Sequence, residues 1–170
     1  MKRLELIPHM ERIDVLAREM QEHLPLSLKG VEDLRADLAG LLVVTIIASY
    51  ESCVKETLVS YAFKQSDKFS EYVERRYNKL NSKIAINDLS RYCTDFAPNS
   101  QIKFKNNFKR RKDRVNNFLG QNIERKYEQL LEWRHDFAHK AVRNTTIEEA
   151  IDFHRYAKHV LFSFYDSFHA

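Results

Sequence analysis

The sequence predicts an all-α protein, a single bundle of five to seven helices over residues 1–170. Three observations carry this expectation. Three glycines and three prolines are too few for the frequent turns of a sandwich or barrel. Apolar residues recur at helical spacing along most of the chain. A composition of 44% hydrophobic and 31% charged residues belongs to a globular chain long enough to bury one sizeable core.

The elements follow in order. Leu4, Ile7, Ile13, Leu16, Met20 and Leu24 share one helical face, and "LPLSLKG" ends that helix with Pro25 and Gly30. From about 31 to 64 the run "VVTII" looks locally like a strand. Apolar positions continue without a turn at Tyr50, Val54, Leu58 and Tyr61, so length selects a buried helix. "KQSDKFSEYVERRYNKL" reads as a short helix with Ser66 or Asp67 as N-cap. "NSKIAINDLSRYCTDFAPNS" is less regular; Asn87 is a second candidate cap, and Pro98 and Asn99 close the stretch. Residues 100–119 form a helix ended by Gly120, and Gln121 to about His139 form the next. The last helix opens on two overlapping capping boxes, Thr145 with Glu148 and Thr146 with Glu149. Its apolar face runs through Ile147, Ala150, Phe153, Ala157, Val160, Leu161 and Phe164.

"MKRLELIPHMERIDVL" contains no uninterrupted apolar run of the signal-peptide kind. The longest apolar run, "LAGLLVVTIIA", falls well short of the roughly 20 residues a membrane span needs, so no membrane is expected. Cys53 and Cys93 lack metal-type spacing and read as reduced core or half-buried residues of a cytoplasmic protein, with no disulfide expected. Charge is unevenly placed. Residues 1–60 carry 7 Lys+Arg against 10 Asp+Glu, and the remainder carries 21 against 14, so a net −3 precedes a net +7. The basic part points to an anionic partner.

That part contains "LLEWRHDFAHKAVRN", residues 130–144. "RHDFAH" supports three chemistries. His135 and His139 lie four apart with an acid after the first, similar to the zincin pattern with Asp136 in place of Glu. Such a site needs a third ligand, for which His154, His159 and Glu148 are the nearby choices. Alternatively, the group decorates the polar end of a helix, where a His complements the helix dipole and an Arg–Asp pair faces solvent. In the third reading Arg134 holds a phosphate and His139 moves a proton, as metal-free RNA cleavage requires. On one ideal helix these two residues point about 140° apart. The separation is accommodated if the helix ends near His139, or if two copies meet across a dimer axis.

Arg134, a polar His135, and His139 after four intervening residues resemble the signature of the HEPN (higher eukaryotes and prokaryotes nucleotide-binding) superfamily. The long apolar segment bearing "SYESCVKE", the basic middle and "LLEWRHDFAHK" are most similar to the RiboL-PSP-type HEPN proteins. The resemblance covers most of the chain in layout and about ten residues in specific motif. It implies a metal-independent endoribonuclease without a cofactor, active as a homodimer whose paired motifs form one cleft. Arg134 and His139 would be catalytic, and His135, at the family's variable polar position, would orient substrate or its partner His. Asp136 is not a motif residue and reads as structural. The implied products are a 2′,3′-cyclic phosphate and a 5′-hydroxyl. The implied context is a prokaryotic toxin or defence system, with a cognate antitoxin or another defence protein as partner. Other members of the superfamily are non-catalytic modules that bind nucleic acid or protein, and this is the alternative.

Further features bear on RNA. "KFKNNFKRRKDR" carries Lys103, Lys105, Lys109, Arg110, Arg111, Lys112 and Arg114 with one acid, a surface suited to phosphodiesters. Phe104 and Phe108, four apart, are expected to face the core. Glu51 interrupts an apolar helix and either pairs with Arg134 or lies on the helix's exposed side. Trp133 and Phe137 are expected to pack inward or at a dimer contact.

Overall fold

Helix α1 (Ile7–His23) starts with Pro8 in its first turn, where the missing N–H would have had no partner. Helices α2 (Glu32–Gln65), α3 (Asp67–Arg76), α4 (Ile86–Phe96), α5 (Pro98–Leu119), α6 (Ile123–Lys140) and α7 (Ile147–His169) follow. The computed structural model describes residues 5–80 and 83–169, and among these there are seven helices and no strand. Leu4, assigned from its spacing to the first helix, lies outside the described residues, as do positions 81 and 82 of the irregular stretch.

The β-branched run of residues 43–47 is helical. Val43, Ile46 and Ile47 are fully buried in α2, so tertiary packing outweighs their local strand preference. By length and composition α2 could cross a membrane, but 56% of its apolar window is buried against the other helices. It touches α1, α3, α6 and α7, while α7 touches α1, α2, α4, α5 and α6. One core cluster draws on all seven helices, from Met10 and Ile13 through Ile46, Val73, Leu89, Phe104 and Tyr127 to Val160.

The caps show where local chemistry decided the boundaries. Ser66 accepts from the Phe69 N–H at 3.2 Å, the N-cap expected for α3. Thr146 accepts from the Glu149 N–H at 3.1 Å, and Glu149 accepts from the Thr146 N–H at 3.0 Å. This is one of the two overlapping boxes. The other does not form, because Glu148 accepts from Arg35 on α2 at 2.7 Å.

The stretch read as irregular contains α4. Its N-cap is Ala85 rather than Asn87, and Asp88 accepts from the Ala85 N–H at 3.2 Å to hold the first turn. A cap without a side-chain oxygen leaves no N-terminal signature in sequence. Likewise Pro98 opens α5 at its first position instead of closing the segment before it.

Phe104 is buried and Phe108 stacks on it at 6.0 Å, both toward the core as their spacing implied. Cys53 and Cys93 are buried thiols, and burial pushes them up to about 12 and about 11.

Candidate active site on the last turns of helix α6

Helix α6 starts at Asn122, whose side chain accepts from the Arg125 N–H at 3.1 Å. Its inner face buries Ile123, Tyr127, Leu130 and Trp133, the last stacked on Phe153 of α7 at 4.6 Å. The helix stops one residue after His139. Ala141 takes a left-handed conformation (φ 52°), and its N–H reaches the Phe137 carbonyl at 3.1 Å. Arg134 and His139 therefore sit in the last two turns, beside a chain reversal.

Arg134 is half-buried, whereas His135 and His139 are exposed. The two imidazole rings lie 4.8 Å apart, tilted by 49°. Among the described residues neither Arg134 nor His139 has a side-chain hydrogen bond or ion pair, which leaves the cation and the proton-exchanging ring available to a ligand. A guanidinium offers a planar fork to a phosphate, and imidazole takes up and releases protons near neutrality.

Asp136 has a different task. It accepts from Lys140 at 2.8 Å and from Asn144 at 3.4 Å, tying the end of α6 to the loop beyond it. The bond from Lys140 holds its carboxyl below the ordinary range. Arg143 fixes the same loop to α2. It donates from Nε and Nη2 to the two oxygens of Asp37 at 2.7 and 2.8 Å, and from Nη1 to Asp33 at 2.7 Å. Sequence reading missed this clamp, because its partners are more than 100 positions apart in the chain.

It also missed Gly40. A Cβ built there would stand 2.1 Å from two ring atoms of Phe137. The Phe137 ring lies directly on the backbone of α2, so glycine is what lets the motif's helix approach so closely. A glycine inside a helix costs about 1 kcal/mol against alanine, and that cost was the available signal. We expect Gly40→Ala to destabilise the protein by about 1–3 kcal/mol, the overpacking cost exceeding the gain in helix propensity. Urea unfolding of Gly40→Ala, Phe137→Ala and the double variant checks this. The double variant should lose less than the sum of the singles, and full additivity would rule out the contact as the cause.

The other anticipated residues are placed elsewhere. Gly40 meets Phe137 and Tyr50 stacks on Tyr127 at 5.7 Å, so α2 and α6 run antiparallel. Glu51 is therefore level with Tyr127, roughly 10 Å along the axis from Arg134. It lines a hollow with Lys55, Asn78 and Lys79, and no ion pair joins it to Arg134 among the described residues.

The basic helix α5 packs through Phe104 on Phe164, near the C-terminal end of α7. Trp133 packs on Phe153, roughly 16 Å closer to the N-terminus of that helix. Lys103, Lys105, Lys109, Arg110 and Arg114 are exposed. Arg111 and Lys112 turn inward, to Asp166 at 2.6 Å and to Glu124 respectively, so two of the seven cations serve the bundle.

His154, one of the third-ligand choices for a metal, is buried and bonded through Nδ1 to the Tyr50 hydroxyl at 2.9 Å. No group of three or more His, Cys, Asp or Glu converges as metal ligands among the described residues.

Against known proteins, the family model described as RiboL-PSP-HEPN matches residues 12–170. No curated protein and no solved structure matches the chain.

Proposed function

The chain belongs to the RiboL-PSP-HEPN family, and from that premise we propose that it is a metal-independent endoribonuclease with Arg134 and His139 as its catalytic residues. The observation that carries the reading is the pair itself: a guanidinium and an imidazole at the end of α6, with no hydrogen bond or ion pair among the described residues. In the reaction, a base removes the proton of a ribose 2′-hydroxyl and O2′ attacks the adjacent phosphorus. The P–O5′ bond breaks, and an acid protonates the departing O5′. The products are a 2′,3′-cyclic phosphate and a 5′-hydroxyl. Arg134 neutralises the charge that builds on the phosphorane oxygens. His139 serves as base, with acid chemistry from the partner's copy or from the same ring in turn. His135, beside that ring, orients it or the substrate.

The 140° between the two side chains supports a homodimer in which two motifs face one cleft. The exposed cations of α5 would carry the RNA strand, in a cytoplasmic toxin or defence effector restrained by an antitoxin. The test is cleavage of RNA in EDTA with analysis of both new ends. Cyclic phosphate and 5′-hydroxyl ends, formed without metal, are the expected result. Activity that requires added metal would overturn the mechanism. No cleavage by the purified dimer would favour a non-catalytic module that binds nucleic acid or protein.

A further inference from the structure

At the far end of α5 from its proline, Phe118 is 82% exposed and Leu119 is 58% exposed, just where Gly120 (φ 63°) turns the chain toward α6. Isolated exposed apolar residues are ordinary on a protein surface. The neighbours of Phe118 are not. Arg110, Arg114 and Phe118 stand four residues apart in succession, so they form one row with a rise of roughly 6 Å between members. All three are exposed. Lys109 lies alongside, and neither it nor Arg114 makes an ion pair among the described residues. Asp113 is the one acid of the helix. Asn116 and Asn117 are exposed too, but they point about 200° and 100° away from the ring around the helix.

Two cations leading to an open aromatic face are what a flexible anionic polymer with flat bases requires. The charges track the backbone and the ring accepts a base. In a duplex both faces of a base are already stacked, so the ring is useful only to an unpaired one. A protein partner would call for a broader apolar patch, whereas here two exposed apolar side chains adjoin a row of cations.

We propose that the tip of α5 binds an unpaired nucleotide of an RNA strand, the base stacking on Phe118 and neighbouring phosphates pairing with Arg110 and Arg114. The identity of the polymer rests on the ribonuclease reading. Arg134 lies eleven residues into α6, so the tip is roughly 17 Å along that helix from the motif. The tip would therefore grip the strand several nucleotides from the bond that is cut.

The test uses the full-length His139→Ala protein, so that RNA is bound and not consumed. Fluorescence anisotropy measures its affinity for an unstructured RNA of about 20 nucleotides and for a duplex of equal length. Phe118→Ala in this background should weaken single-strand binding about tenfold and leave the salt slope unchanged. Phe118→Leu should lose as much, and Phe118→Trp should bind as the parent does, with tryptophan emission changing on binding. Arg114→Ala should lower the salt slope by about one. Duplex affinity should be indifferent to the ring.

Unchanged single-strand affinity in Phe118→Ala overturns the proposal. Full affinity in Phe118→Leu would also overturn it, because an apolar protein contact tolerates that exchange and base stacking does not. Cleavage by the unsubstituted protein is scored separately. Loss of this inference therefore leaves the nuclease reading standing, and an RNA neither bound nor cut sinks both.

Discussion

Arg134→Ala and His139→Ala should each lower RNA cleavage by a factor of about 10² to 10⁴ while the fold survives. Arg134 is half-buried and His139 exposed, and neither makes a side-chain hydrogen bond or ion pair among the described residues, so their removal costs little packing. The more informative experiment mixes the two inactive proteins. If one phosphate is served by an arginine from one protomer and a histidine from its partner, a mixed dimer retains one complete pair. Random exchange would then recover about a quarter of the parent rate for a two-fold dimer. If each chain supplies both groups to its own phosphate, no dimer in the mixture is complete and nothing is recovered. The angular separation along α6 leads us to expect recovery. Failure to recover, with subunit exchange shown by mass spectrometry, would place both groups of a working site in one chain. Unfolding midpoints of the two variants close to the parent's are part of the same expectation.

How legible this was depends on the distance over which each feature is encoded. The long helices were readable because their apolar faces repeat locally. Ser66 and the Thr146–Glu149 box were readable because a cap is written within four residues. Helix α4 was not, since its N-cap is an alanine and its first turn is held by Asp88 reaching back to the Ala85 N–H.

At the site, the motif spacing together with the family resemblance singled out Arg134 and His139, and α6 ends one residue beyond His139. What spacing does not encode is the meeting of distant segments. The seat of Phe137 on Gly40, the Arg143 clamp on Asp33 and Asp37, and the separation of Glu51 from Arg134 all depend on how α2 lies against α6 and the loop after it. The cations of α5 were visible as a cluster. Only their packing distinguished Arg111 and Lys112, paired with acids of α7 and α6, from the exposed ones.

Acid should weaken this fold before most of its carboxylates are titrated, and His154 is the reason. The ring is 2% exposed, and burial, reinforced by the nearby charge of Lys158, lowers it to about 3. Its Nδ1 is bonded to Tyr50, which burial keeps protonated, and its Nε2 has no hydrogen-bond partner. Asp14 stands 3.9 Å from Nε2, but half of that carboxylate faces water, which screens its pull on a buried proton. In the unfolded chain the ring titrates near 6.5. Between about 6.5 and about 3, therefore, the unfolded state binds one more proton than the folded state. Stability is complete above that window and falls by about 1.4 kcal/mol for each pH unit through it. Two units of acidification would remove about 3 kcal/mol from a fold whose kind has about 5–15 in all. His169, half-buried and also lowered, acts with the same sign. Urea unfolding at steps from pH 7.5 to 4.5 should show this slope in the parent. His154→Asn keeps an amide at the position of Nδ1 for Tyr50 but cannot titrate, so its profile should be flatter by about one proton. Parallel profiles for the two proteins would assign the acid sensitivity to other groups.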